Sequence, residues 1–214
     1  MTWIQRLFGW VTGTSAPGSD PGERKLAEER DRTRRAILRA LEFGVEVREA
    51  ELEIIEHSAL VAMLCESLGE RTSLPESDLY VLQTAARLHE AGMFAVPSSL
   101  LLRPTALSPE ELEQVRGQAK ISAALAGIMH HPRVARLIEY QYDDYVMLSD
   151  RLPEADLLLA GLLRVADVIA AVTRPRPYQD PLPRKLQARL LEGGAGTRFH
   201  PLAVRCALGL SAGG

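Results

Sequence analysis

His89 and Glu90 stand side by side at the end of the stretch Ala86-Arg87-Leu88-His89-Glu90-Ala91, just ahead of Gly92. An imidazole next to a carboxylate, delivered by a helix end, can fix a divalent cation that neutralises phosphate charge and activates water. Glu53 and His57 lie four residues apart, a spacing that puts both on one face of a helix. Asp167 interrupts the nearly unbroken apolar run from Leu157 to Val172. A buried carboxylate costs on the order of several kcal/mol unless it is paired or bound to metal. Arg164, three residues before it, supplies a structural partner, so a metal role and an ion-pair role both stay open. A lone histidine on an apolar face is more often a core residue than a ligand. Two of them, His57 and His89, together with Glu90 and a buried acid on a third helix, favour a ligand set. His130-His131 is a weaker pair, because adjacent helical side chains point about 100° apart. His200, ahead of Pro201, reads as a surface or capping residue.

These side chains need helices to hold them. Glu23 to Phe43 is charged and amphipathic. Glu46 to Leu68 places Ile54, His57, Val61, Leu64 and Leu68 at spacings of three and four, the helical period. Ser77-Asp78 can cap a helix that carries Leu79, Leu82, Ala86 and His89 in one phase. Ser108-Pro109-Glu110-Glu111 opens a helix toward Met129, and Pro132 opens a short one through Tyr140. Leu157 to Val172 is apolar on every face and is expected to be the central buried helix. From Pro183 a last amphipathic pair forms around Leu186, Leu190 and Val204. No useful stretch alternates with period two, so the predicted fold is all-α.

At 214 residues the chain has room for one domain with a real core and a tail. The expected division is an amphipathic tail and linker at 1–22, a charged helix at 23–44 and the main domain at 45–210. A net charge of −3 argues against a nucleic-acid surface. Positive charge is almost all arginine, since Lys25, Lys120 and Lys185 are the only lysines. Cys65 and Cys206 are isolated and read as small core residues. The apolar run around Asp167 is too short and too charged to span a bilayer. In the tail, Trp3, Ile4, Leu7, Phe8, Trp10 and Val11 make an apolar face. Docking on this domain or a second copy is favoured over a membrane surface, because Arg6 alone supplies little attraction to anionic lipid. A cytoplasmic location is expected.

The order of Glu53, His57, His89-Glu90 and Asp167, with Pro97, Pro104, Arg176-Pro177-Tyr178 and Thr197-Arg198-Phe199-His200-Pro201, resembles the HD-GYP branch of the HD superfamily. These are bacterial cyclic di-GMP phosphodiesterases. The resemblance covers roughly residues 45–208 and implies an HD-type helical bundle. It implies metal ligands at Glu53, His57, His89, Glu90 and Asp167. It also exposes departures. Glu90 stands where the family has Asp, Gln118 where it has His, and Met93 where it has Lys. The family's His-His-Glu falls near Tyr140-Gln141-Tyr142-Asp143, and the Gly-Tyr-Pro triplet is absent near Asp144-Tyr145-Val146-Met147. The extra methylene of Glu90 moves its carboxylate by roughly 1.5 Å, whereas ligand bonds tolerate about 0.2 Å.

The expectation is therefore at most one divalent ion, whether iron, manganese, magnesium or zinc, and no assigned catalytic residue. Gln118, Arg176 and Tyr178 are the candidate substrate contacts, although packing is the favoured role of the Arg-Pro-Tyr motif. The implied function is a degenerate HD-GYP-like module in bacterial signalling. It would bind a cyclic dinucleotide, a signalling protein or a second copy of itself, with little or no phosphodiesterase activity. The alternatives are a working one-ion phosphohydrolase and a purely structural helical protein.

Overall fold

The computed structural model describes residues 21–52, 56–103, 105–128, 131–174 and 180–209. The apolar tail, Glu53, His130 and the Arg176-Pro177-Tyr178 motif lie outside them. The described residues form an all-α fold, with one isolated β-bridge between Ala195 and Phe199.

Helix α1 spans Pro21–Glu51 and runs straight through Gly44, where two helices were expected. A glycine inside a helix costs only about 1 kcal/mol, and packing outweighs it. The space left by the missing side chain is taken by the ring of Phe94, and Val45, Arg48 and Glu49 on the following turn are buried. The chain breaks later, before α2 (His57–Arg71). Glu56 adopts a left-handed conformation, φ 63°, that no α-helix tolerates in its interior. His57 therefore opens a helix, where one running from Glu46 to Leu68 was expected. Glu49 accepts a 2.7 Å hydrogen bond from the Ser58 backbone N–H and so satisfies one orphan donor of this helix start.

Helix α3 covers Glu76–Leu88 and is followed by a 3₁₀ turn, Ala91–Ala95. Next come α4 (Ser98–Leu101) and α5 (Pro109–Arg116), then α6 (Gln118–Ile128). Ser108 and Glu111 form a capping box at the start of α5, the device the Ser-Pro-Glu-Glu string suggested. The single helix expected from Pro109 divides at Gly117. Helix α7 spans Pro132–Glu139, α8 Tyr145–Leu148, α9 Glu154–Thr173, α10 Arg184–Gly194 and α11 Pro201–Ala207.

Helix α9 is the central element, packed against α2, α3, α7 and α11. Leu159, Leu162, Leu163, Val165 and Ala166 on it are essentially inaccessible to solvent. Its buried Asp156 takes ion pairs from Arg133 at 2.7 Å and Arg136 at 3.1 Å, and Arg133 also reaches Asp78 at 2.7 Å. That network joins α3, α7 and α9. Gly161 lets the last helix approach: a Cβ there would sit 2.3 Å from Cβ of His200. Arg71 closes the other side by donating to the Cys206 carbonyl at 2.9 Å. None of the helices among the described residues is long and apolar enough to cross a membrane.

Candidate metal centre

Three helices deliver four side chains to one point. His57 is the first residue of α2, and His89 caps the C-terminus of α3. Glu90 precedes the 3₁₀ turn, and Asp167 projects from α9. Asp167 Oδ1 lies 3.2 Å from His57 Nε2 and 3.8 Å from His89 Nε2, and Glu90 Oε1 lies 3.8 Å from His57 Nε2. Donor atoms of His57, His89 and Glu90 all fall within 4.8 Å of one another. Nitrogen and oxygen ligands sit roughly 2.0–2.2 Å from a divalent ion, so two of them sharing one ion must lie no more than about 4 Å apart. The His57–Asp167, His89–Asp167 and His57–Glu90 pairs meet that condition.

The second ring nitrogen of His89 strengthens the fit. Its Nδ1 lies 2.7 Å from the Ala86 carbonyl and donates there, which directs Nε2 into the cluster. That Nε2 is buried and makes no hydrogen bond. A backbone carbonyl behind a histidine is the usual way to fix the tautomer of a ligating imidazole. His57, His89, Glu90 and Asp167 thus suit one divalent cation. Glu53 lies outside the described residues and is not placed.

Without a cation the cluster is a network of charge. Burial alone would lower the basicity of His89, but the nearby carboxylates of Asp167 and Glu90 prevail, and its pKa is pushed up to about 9. For Asp167, burial opposes ionisation, yet the imidazoles of His57 and His89 beside it hold it well below the usual carboxylate range. Arg164 Nη1 stands 3.7 Å from Asp167 Oδ2. Asp167 thus turns one oxygen to the imidazoles and the other to the guanidinium.

Gln118, Gln141 and Met93, in the stretches that the resemblance reads as departures, pack around the site. Gln118 is buried, and its amide nitrogen donates to the His89 carbonyl at 3.1 Å and the Tyr142 hydroxyl at 2.9 Å. Its amide oxygen accepts from Ser122 Oγ at 2.7 Å, and the same hydroxyl oxygen accepts from the Gly92 N–H at 2.7 Å. Gln141 donates to the His89 carbonyl as well, at 2.9 Å. The site is near, but these amides hold its backbone. Gly92 is required here, since a Cβ would lie 2.2 Å from the Gln118 carbonyl oxygen. Met93 is buried and lines a cavity of about 450 Å³ that also meets Glu90, Asp167 and Tyr142. Leu101 and Leu112 make other walls of it apolar.

Two residues went unread in the sequence. Arg48 is buried and donates to the Met93 carbonyl at 3.2 Å, the Val96 carbonyl at 2.5 Å and Ser98 Oγ at 2.7 Å. It fixes the turn that follows His89-Glu90. Glu49, beside it, holds the start of α2. The available signal was phase: Arg48 lies three residues after Val45 and four before Leu52, on the inward row. His131 caps α7 with its ring 5.9 Å from Tyr80. His200 is a cap as expected, its Nδ1 accepting from the Leu202 N–H at 3.2 Å.

A family model described as an HD domain matches residues 23–202. The chain belongs to the HD-domain family. Its relatives include the cyclic di-GMP phosphodiesterase response regulator RpfG of Xanthomonas campestris, 29% identical over 192 residues, which cover 83% of this chain and 47% of that protein. A cyclic di-GMP phosphodiesterase of Thermotoga maritima is 27% identical over 180 residues, covering 81% of this HD-domain chain and 48% of the relative. The 3'3'-cGAMP-specific phosphodiesterase 2 of Vibrio cholerae is 25% identical over 182 residues, 82% and 34% of the two chains. The HD domain described here spans about half or less of the length of these relatives.

Proposed function

We propose that this HD domain is a cyclic-dinucleotide signalling module of the cytoplasm. It would hold at most one divalent cation and have little or no phosphodiesterase activity. The observation that carries the reading is the engagement of Gln118. Both contacts of its amide nitrogen and one contact of its oxygen are made within the protein, and an amide in place of an imidazole is a weak neutral donor toward a second ion. Met93 adds no charge beside a phosphate, where a cation would be a natural partner. The names of the relatives support cyclic di-GMP or a similar cyclic dinucleotide as ligand. In this reading a signalling protein or a second copy of the chain receives the signal. When bound, the ion would neutralise phosphate charge and activate water; His57, His89, Glu90 and Asp167 would orient it.

The convergence of those four side chains favours one other reading, a working one-ion phosphohydrolase. Elemental analysis of mildly purified protein, paired with turnover of cyclic di-GMP, separates the two. One ion or none with negligible turnover supports the signalling module. One ion with turnover at an ordinary enzyme rate, abolished in His89→Ala, establishes the hydrolase. Two or three stoichiometric ions would defeat both.

A further inference from the structure

A second cavity, about 440 Å³, shares Tyr142 with the cavity beside the cation cluster. That volume is within the roughly 300–1,000 Å³ common for small-molecule sites. Four guanidinium groups line it, each from a different segment: Arg116 ends α5, Arg151 follows α8, Arg164 stands on α9, and Arg198 lies in the turn between α10 and α11. Two lining residues are acidic, Asp143 and Asp144, so four positive charges face two negative ones.

The ion pairs that Arg151 and Arg164 make within the fold are long. Arg151 stands 3.9 Å from Asp143, at the limit of an ion pair. Arg164 is only 14% exposed, its Nε is buried without a hydrogen bond, and its ion pair to Asp167 spans 3.7 Å. Its guanidinium carbon lies 5.8 Å from the centre of the Tyr142 ring. Bringing guanidinium groups together this way costs free energy unless an anion enters. The turn bearing Arg198 is anchored, since the Tyr145 and Val146 N–H groups donate to the Arg198 and Thr197 carbonyls at 3.2 and 3.1 Å.

We infer that this arginine-lined cleft binds a phosphate group, separately from the cation cluster and joined to it through Tyr142 and Arg164. Guanidinium is planar, weakly hydrated and matched to phosphate oxygens in pairs. Tyr142 and Met147 in the same wall offer an apolar surface beside the phosphate, which suits a nucleotide better than a bare ion. The inference stands whether or not a cation binds at His89.

Isothermal titration of the full chain, stripped with chelator, tests it with guanosine 5'-monophosphate, guanosine and inorganic phosphate. The monophosphate should bind and the nucleoside should not. Arg151→Ala and Arg198→Ala should each weaken the monophosphate about tenfold, while Arg189→Ala on α10 changes nothing. Both cleft positions are exposed, so the variants should fold. Inorganic phosphate binding as tightly as the nucleotide identifies a simple phosphate site; weaker binding shows that the base contributes. The inference is overturned if the nucleoside binds equally well or if the chelated protein binds no phosphate compound. Equal loss in Arg189→Ala, or no loss in the cleft variants, also overturns it.

Discussion

At His89 two demands meet on one ring. Its Nδ1 hydrogen bond to Ala86 aims Nε2 inward, while neighbouring carboxylates raise its pKa to about 9. In cation-free protein the protonated ring therefore stabilises the fold fully below about pH 6.5, and that contribution is lost as pH rises through 9. A cation must displace the same proton. The rise in Tm produced by saturating manganese should thus be larger at pH 9 than at pH 6; a smaller gain at pH 9 would exclude His89 as a ligand. Gln118 carries a second prediction. Gln118→Ala removes a buried amide that holds the His89 carbonyl, Tyr142 and Ser122, and should cost about 2–3 kcal/mol in urea unfolding. His57, His89, Glu90 and Asp167 were legible in the sequence because imidazoles and acids are rare in apolar phase. Arg48 and Glu49 were not, because two adjacent charges on a charged helix look like a solvated face. Only the tertiary contacts of Arg48 with Met93 and Val96 reveal its inward position.

At the scale of elements, the last helix depends on a histidine with the opposite sign of titration. Burial, reinforced by Arg205 and opposed by Glu154, lowers the pKa of His200. Its neutral Nδ1 accepts the hydrogen bond that caps α11. The stabilisation is present above about pH 6.5 and is lost as pH falls through the lowered value. His200→Asn keeps an acceptor at the cap without titrating near neutrality. Wild type should lose more Tm than this variant between pH 7.5 and pH 5, and equal losses would remove His200 from the account. Gly161→Ala should cost roughly 1–3 kcal/mol by overpacking against His200, read as a lower urea midpoint. Element type was readable from period. Element ends were harder. Gly44 carries a breaking signal that the packing of α1 against the turn around Phe94 overrides, whereas the left-handed Glu56 has no glycine to announce it.

For the molecule as a whole, the all-α class followed from the absence of period-two runs, and the central place of α9 from its unbroken apolar composition. The convergence of segments far apart in sequence did not. The arginine cleft joins residues 116, 151, 164 and 198, each unremarkable alone on a chain whose positive charge is nearly all arginine. The ion pairs of Asp156 are similarly non-local. Because Asp156 is buried and accepts from Arg133 and Arg136, whose guanidinium groups stay partly exposed, Asp156→Ala should destabilise the entire domain by about 1–2 kcal/mol. Helical, fluorescence and calorimetric signals should shift together. A change confined to one probe would show that the network holds only a local region.

The bond between Arg71 and the Cys206 carbonyl also bears on how the protein is made. Ribosomes release a chain from its N-terminus onward, and this contact joins early and late stretches of synthesis. Helices α2 and α9 both pack against α11, so a nascent chain still waiting for residues 201–207 exposes apolar surface on each. Folding is therefore expected to complete only after those residues clear the exit tunnel. Nascent chains halted at residue 199 and released should stay protease-sensitive, while the full chain becomes resistant.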